Sequence, residues 1–174
     1  MYTLLLVDDE EEVIEAIVKK VKWEELGFQV TGHANNGFKA MDMLEEMQPD
    51  VVMTDIRMPY MDGLELCAHI KAKYPATKIL LFTGFDDFEY AKEAVHLEIE
   101  EYILKPLNAV EITEVFKCNL LEYLTQRDIQ TKNSGVNVRY RGKHRFFKGF
   151  NEFIKEKTRR CDNDFEKIER HVFF

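Results

Sequence analysis

The sequence has few of the residues that hold small secreted or metal-centred domains together. Its three cysteines (Cys67, Cys118 and Cys161) are odd in number and far apart, so they form neither a zinc pattern nor a disulfide framework. Its apolar runs are far shorter than a membrane span, and the N-terminus turns acidic where a signal peptide would be basic. These absences favour a protein of the reducing cytoplasm.

Acidic residues are in excess, and they are unevenly distributed along the chain. Residues 1–118 hold 11 lysines and arginines against 24 aspartates and glutamates, a net charge of −13. Residues 119–174 hold 13 against 8, a net charge of +5. The asymmetry predicts two units, 1–125 and a linker with a basic extension over 126–174. The acidic unit is a poor candidate for binding nucleic acid by itself.

The first unit alternates strand patterns with helix patterns. Short apolar runs predict buried strands over 4–7 and 51–54, and further strands are predicted over 28–34, 78–83 and 102–104. Apolar residues at helical spacing predict helices over 10–22, 36–47, 64–74, 86–95 and from Asn108 to about 130. Five strands alternating with five helices indicate an α/β fold, with a parallel sheet covered by helices on both faces.

Polar residues follow four of the predicted strands. They are Asp8 and Asp9 after the first, Asp55 after the third, Thr83 at the end of the fourth and Lys105 after the fifth. Because the carboxyl ends of parallel strands meet at one edge, we expect these side chains to share one crevice.

The chemistry of this set points to phosphoryl transfer. Like charges raise one another's pKa, so clustered carboxylates call for a divalent cation such as Mg²⁺. Asp55 is a carboxylate nucleophile, while Lys105 and Thr83 offer a positive charge and a hydroxyl donor to phosphoryl oxygens. A phosphoryl group on Asp55 would be an acyl phosphate, which is labile and therefore removable.

Five segments of the sequence resemble motifs in the receiver domains of bacterial two-component response regulators, and they occur in the same order as in that family. They are Leu6-Val7-Asp8-Asp9-Glu10, Met53-Thr54-Asp55-Ile56-Arg57-Met58-Pro59, Met61-Asp62-Gly63, Thr83-Gly84 and Tyr102-Ile103-Leu104-Lys105-Pro106. The resemblance covers about residues 2–125 and implies a flavodoxin-like (βα)5 doubly wound sheet of strand order 2-1-3-4-5. It also implies that Asp55 accepts a phosphoryl group from a sensor histidine kinase.

The resemblance further implies a role for each residue of the site. The implied Mg²⁺ ligands are Asp8, Asp9, Asp55 and the backbone carbonyl of Arg57. Thr83 and Lys105 would hold the phosphoryl oxygens, and Thr83 with Tyr102 would form the conformational switch. Beyond phosphorylating and dephosphorylating itself, the chain is not expected to be an enzyme.

More narrowly, three segments resemble the branch whose output is an AraC-type DNA-binding domain: 23–28, 54–59 and 84–91. That branch implies control of transcription, and the family implies a homodimer through the fourth helix, fifth strand and fifth helix. Residues 126–174 are predicted to be a short, basic, mostly helical extension with an aromatic stripe from Phe146 to Phe153. They contain no helix-turn-helix pattern, so DNA binding would need a further output domain. The last residues look like those of a fragment.

Three other classes compete with this interpretation. A nucleotide- or flavin-binding protein would carry a glycine-rich phosphate loop, where this chain has Asp-Asp-Glu. A metal-dependent phosphatase with an aspartate nucleophile would have a second aspartate at the position of Arg57. A pseudo-receiver that serves only as an interaction module would not need the complete set of Asp55, Thr83 and Lys105.

Overall fold

The computed structural model describes residues 1–84, 88–97, 99, 101–105, 108–121, 124–125 and 128. The strands are β1 (Tyr2–Val7), β2 (Phe28–Ala34), β3 (Val51–Asp55), β4 (Lys78–Thr83) and β5 (Glu101–Leu104). The helices are α1 (Glu11–Lys20), α2 (Gly37–Met47), α3 (Gly63–Lys73), α4 (Phe88–His96) and α5 (Ala109–Val115). Within the described part, no helix is both long and apolar enough to cross a membrane.

The five strands form one sheet of order β2-β1-β3-β4-β5 in which every neighbouring pair is parallel. The predicted doubly wound fold and its strand order are therefore confirmed. The central strands β1, β3 and β4 are the apolar runs of the sequence, and helices cover both of their faces, as a parallel sheet requires.

Two separate hydrophobic layers cover the sheet, because alternate residues of each strand point to opposite faces. One layer joins Leu4, Leu6, Met53 and Phe82 to α1 and α5, and the other joins Leu5, Val52, Ile79 and Leu81 to α2, α3 and α4. Each strand thus contributes to both layers.

The element boundaries follow local signals in the sequence. Asn36, Asp62 and Asn108 cap α2, α3 and α5 by accepting hydrogen bonds from backbone N–H groups at 2.8 to 2.9 Å. Gly27 precedes β2 with a φ of 79°, a conformation that glycine adopts without strain.

Helix α5 differs from the prediction in one respect, because it continues through a π-helical turn over Phe116–Leu120. Residues 121, 124, 125 and 128 are again α-helical, which agrees with the predicted length of this helix. The predicted start of the fourth helix at Asp86, and the extension predicted over 126–174 except for Asp128, lie outside the described residues.

An aromatic cluster anchors α5 at the amino-terminal edge of the sheet. The ring of Phe116 meets Trp23 and Phe28 edge-on, each at a centroid distance of 4.9 Å, and Tyr2 lies 5.7 Å from Phe28. Tyr2 also donates its hydroxyl proton to a carboxylate oxygen of Asp128 at 3.0 Å. Contacts between residues far apart in sequence therefore tie the helical residues that follow β5 to β1.

The outermost strand β2 contains a bulge. Leu4 of β1 pairs with Val30 and Leu5 pairs with Gly32, so Thr31 has no partner residue in the ladder. The Thr31 hydroxyl instead donates to the backbone carbonyl of Leu4 at 3.3 Å. A bulge of this kind bends and twists the strand locally.

Candidate functional site

The strand-end residues lie together because their strands are neighbours in the sheet. Asp8 follows β1 and Asp55 ends β3, and these two strands are paired with Val7 opposite Thr54. Thr83 ends β4, and its carbonyl accepts a hydrogen bond from the backbone N–H of Lys105 at 2.7 Å. The carboxyl edge of the sheet therefore brings Asp8, Asp55, Thr83 and Lys105 to one place.

Three carboxylates form the acidic part of the site. Each of Asp8, Asp9 and Asp55 offers an oxygen, and all three oxygens lie within 4.8 Å of one another. Asp8 is fully buried and Asp55 is 6% exposed, whereas Asp9 faces solvent. A cluster with one open side suits a hard cation that keeps several of its water ligands.

Lys105 supplies the positive charge at the centre of this cluster. Its ammonium nitrogen lies 2.9 Å from an oxygen of Asp8 and 3.5 Å from Oδ1 of Asp55. The same nitrogen lies 5.2 Å from the ring centroid of the buried Phe82. Lys105 is therefore held against both carboxylates by an ion pair and by an aromatic face.

The carboxyl groups of the site are harder to ionise than ordinary ones. Burial raises the pKa of Asp55 from 3.8 to about 6, with Lys105 opposing the rise and the charge of Asp8 adding to it. Burial also raises the pKa of Asp8, against its hydrogen bonds from Glu10 and Lys105. The pKa of Lys105 is raised because its acidic partners outweigh the effect of its own burial. The site therefore holds more negative charge than Lys105 alone stabilises.

The two oxygens of Asp55 have different surroundings. Oδ2 accepts a hydrogen bond from the backbone N–H of Arg57 at 3.2 Å. Oδ1 is buried without a hydrogen-bond partner, since Lys105 at 3.5 Å is an ion-pair contact only. This buried oxygen therefore has a lone pair that can accept a further ligand.

The loop between β3 and α3 packs tightly against the backbone of Asp55. Thr54 donates its hydroxyl proton to the carbonyl of Asp55 at 2.9 Å, and Gly63 N–H donates to the carbonyl of Ile56 at 2.8 Å. A Cβ atom on Gly63 would overlap the carbonyl oxygen of Asp55. Gly63, which reads as a turn residue in the sequence, thus lies directly against the backbone of Asp55.

Thr83 and Tyr102, the predicted switch pair, occupy neighbouring strands. Thr83 is completely buried at the end of β4. Tyr102 is half-buried in β5 opposite Leu81 and packs against the second core layer. Their roles as a switch stay predictions.

Sequence reasoning missed two participants near the site. Glu10 approaches Lys105 with its carboxylate at 3.5 Å, and its backbone N–H donates to Asp8 at 2.8 Å. The guanidinium of Arg57 lies 5.6 Å from the ring centroid of Tyr90, which connects the loop after β3 to α4. The run Asp8-Asp9-Glu10 was the available signal for Glu10, whereas nothing in the local sequence indicates the contact with Tyr90.

Comparison with known proteins agrees with this geometry. The family described as "Response regulator receiver domain" matches residues 4–117. The chain belongs to this family. The resemblance stated from the five sequence segments is therefore confirmed.

Two curated relatives of this receiver domain are named as transcriptional regulatory proteins. It is 37% identical over 134 residues to the uncharacterized transcriptional regulatory protein YesN of Bacillus subtilis, covering 77% of this chain and 36% of YesN. It is 28% identical to the transcriptional regulatory protein HptR of Staphylococcus aureus, covering 77% of this chain and 52% of HptR. The chain thus spans about half or less of the length of these relatives.

Solved structures give the same result for the receiver fold. The receiver domain of AraT, a response regulator from Geobacillus stearothermophilus, has a TM-score of 0.66 at 32% identity, covering 73% of this chain and 98% of that one. A two-component transcriptional regulator AraC from Clostridium phytofermentans has a TM-score of 0.65 at 32% identity, covering 72% and 97%. The predicted resemblance to the AraC-type branch is confirmed by these neighbours.

Proposed function

We propose that this receiver accepts a phosphoryl group on Asp55 from the phosphohistidine of a sensor histidine kinase and uses it to control transcription. The observation that carries the proposal is the state of Asp55 Oδ1, which is buried, lacks a hydrogen bond and faces Lys105. A phosphoryl group on this oxygen would satisfy an unfilled position in the site.

The residues present fit a Mg²⁺ ion. Oxygen ligands alone, a cluster open on the side of Asp9 and an excess of negative charge are the properties that this cation selects. Asp8, Asp9, Asp55 and the carbonyl of Arg57 would hold it. When bound, Mg²⁺ neutralises the carboxylates and polarises the phosphoryl oxygens.

The reaction uses the chain's own groups as follows. Oδ1 of Asp55 forms a bond to phosphorus while the bond from phosphorus to the donor's imidazole nitrogen breaks, and the imidazole leaves with the bonding electron pair. Lys105 and Thr83 bind the equatorial oxygens, on which negative charge accumulates. Water later attacks the phosphorus, which releases phosphate and restores Asp55. We propose no enzyme activity other than this self-phosphorylation and self-dephosphorylation.

Phosphorylation would change the conformation at the carboxyl edge of the sheet. The Thr83 hydroxyl would move towards the phosphoryl group, and the ring of Tyr102 would turn inward into the vacated space. This would bias a two-state equilibrium on the face of α4, β5 and α5, through which the protein would form a homodimer. A cytoplasmic location follows from the same proposal, since the donor and the genes to be controlled are there.

Incubation with Mg²⁺ and acetyl phosphate tests the proposal directly. We expect intact-mass spectrometry to show one added phosphoryl group on the wild-type chain and none on Asp55→Asn. A Thr83→Ala variant should still be phosphorylated but should lose any change in elution on size exclusion. If the wild type gains no phosphoryl group, or if the group persists in Asp55→Asn, the proposal is wrong and the fold serves as a binding module.

A further inference from the structure

Lys105 has to reach across a strand to meet the acceptor carboxylate. It follows β5, whereas Asp55 ends β3, and β4 lies between these two strands in the sheet. Neighbouring strands are about 4.8 Å apart, so β5 and β3 are separated by roughly 10 Å. The ammonium nitrogen of Lys105 nevertheless lies 3.5 Å from Oδ1 of Asp55. The side chain that β4 presents at this level of the sheet is therefore a neighbour of the lysine.

The register of the sheet makes that neighbour Phe82. Phe82 is paired with Asp55 of β3 on one side and with Ile103 of β5 on the other. Alternate residues of a strand point to opposite faces, so Lys105, two residues after Ile103, is expected on the face where Phe82 lies. The structure agrees with this expectation, because the ammonium nitrogen of Lys105 lies over the Phe82 ring, 5.2 Å from its centroid.

The ring of Phe82 is a fixed part of the site. Phe82 is completely buried in the hydrophobic layer that faces α1 and α5, together with Met53 and Ile103 of the neighbouring strands. The face of an aromatic ring carries partial negative charge, which attracts a cation at this distance. An aliphatic residue could fill the same place in the core, but it would not attract the ammonium group.

The other contacts of the Lys105 ammonium group are with carboxylates. It donates a hydrogen bond to Asp8 at 2.9 Å and approaches Glu10 and Asp55, each at 3.5 Å. Asp8 and Asp55 belong to the reacting site, so under the proposed function they take new partners when the phosphoryl group arrives. The side chain of Glu10 is 67% exposed, and exposed ion pairs hold their partners weakly. The ring of Phe82 is the described contact that can persist throughout the reaction.

We propose that Phe82 is a positioning residue for phosphoryl transfer, because its ring holds the ammonium group of Lys105 at the place from which it meets the phosphoryl oxygens. This inference rests on the proposed function. A free lysine side chain populates many rotamers, and fixing it beforehand removes that entropy cost from the transfer step. Phe82 acts through Lys105 and does not itself touch the phosphoryl group.

Fluorinated phenylalanines test the inference with little change in packing. Site-specific replacement of Phe82 by phenylalanines that carry one, two or three ring fluorines withdraws electron density from the ring face in steps, while the ring keeps nearly its size. The same series at Phe28 is the matched control. Phe28 is also completely buried in this layer, but its ring contacts Tyr2 and Phe116 at the amino-terminal edge of the sheet.

The first measurement is fluorine NMR on the metal-free chain, and it needs no phosphorylation. A single fluorine at the para position of the Phe82 ring reports the charge beside that ring. Lys105→Met keeps an unbranched side chain and removes its charge. We expect this substitution to move the fluorine resonance at Phe82 and to leave the resonance of the same label at Phe28 nearly in place.

The second measurement is the rate of phosphorylation by acetyl phosphate and Mg²⁺, followed by intact mass. Each fluorine on Phe82 should slow the reaction by a similar factor, about fivefold in total over three fluorines, as for the loss of one cation–π contact. The Phe28 series should react within about twofold of wild type, since distant sites act independently. Urea unfolding checks that both series remain folded.

Three results would overturn the inference. They are a rate that does not depend on the number of fluorines at Phe82, an equal slowing in the Phe28 series, and a Phe82 resonance that Lys105→Met leaves in place. The second result would assign the effect to packing. A wild type that gains no phosphoryl group would instead refute the proposed function, and the inference would fall with it.

Discussion

Replacing Asp55 with asparagine should make the metal-free protein more stable. Burial raises the pKa of Asp55 from 3.8 to about 6, so the folded state keeps a proton that the unfolded chain releases at lower pH. The free energy of unfolding therefore falls as pH rises from about 4 to about 6. Above that range Asp55 is ionised in both states, and the free energy of unfolding falls no further on its account. The pKa of Asp55 in the folded state exceeds that in the unfolded chain by about two units. At about 1.4 kcal/mol per unit, the buried charge lowers the free energy of unfolding by about 3 kcal/mol.

Asparagine has nearly the shape of aspartate but no charge to bury. We expect Asp55→Asn to raise the free energy of unfolding by up to about 3 kcal/mol at pH 8 and by about half of that at pH 5. Urea unfolding in the presence of a chelator measures both values. The fluorescence of Trp23 reports the transition, because it is the only tryptophan and is 6% exposed at the other edge of the sheet.

The control for this experiment is Asp62→Asn. Asp62 is exposed and caps α3, and asparagine caps helices about as well as aspartate does. Its free energy of unfolding should therefore stay near that of wild type at both pH values. If Asp55→Asn is no more stable than wild type at pH 8, or if its advantage is the same at pH 5, the argument from the buried charge is refuted.

Three further substitutions test the packing around the site and the base of the sheet, each by urea unfolding followed by circular dichroism. Gly63→Ala should lower the free energy of unfolding by about 3 kcal/mol, because its Cβ overlaps the Asp55 carbonyl, whereas Gly84→Ala has room and should cost less than about 1 kcal/mol. Equal effects would contradict the overlap. Phe116→Ala should cost about 3 to 5 kcal/mol, because Phe116 is fully buried, and the half-exposed Phe38→Ala should cost far less. Asp62→Ala should cost about 1 kcal/mol through loss of the helix cap, and an unchanged midpoint would show that the cap is dispensable.

Much of the fold could be predicted because the relevant signals are local. The runs Leu4–Val7, Val51–Met53 and Ile79–Phe82 are unbroken and apolar, as strands buried on both faces must be, and polar residues follow each of them. Parallel pairing then brings Asp8, Asp55 and Thr83 to one edge without further information. The site could therefore be placed from the sequence by topology alone.

Other features depend on tertiary contacts, and the sequence does not predict them. The raised pKa of Asp55 comes from its burial, and the ion pair of Glu10 with Lys105 joins residues far apart in the chain. Tyr60 has a positive φ although tyrosine disfavours that conformation, and the residues after it are held by contacts of Met61 with Gly37 and of Gly63 with Asp55. The π-helical turn at Phe116 likewise coincides with packing against Trp23 and has no signal in the local sequence.

The bulge at Thr31 has a consequence for how this molecule behaves at high concentration. An outermost strand presents free backbone groups, which can recruit a strand from another molecule. In β2 the ladder is interrupted halfway along, so an incoming strand would find matching donors and acceptors over only a few residues on either side of Thr31. The bulge therefore limits the addition of a further strand at the β2 edge of the sheet.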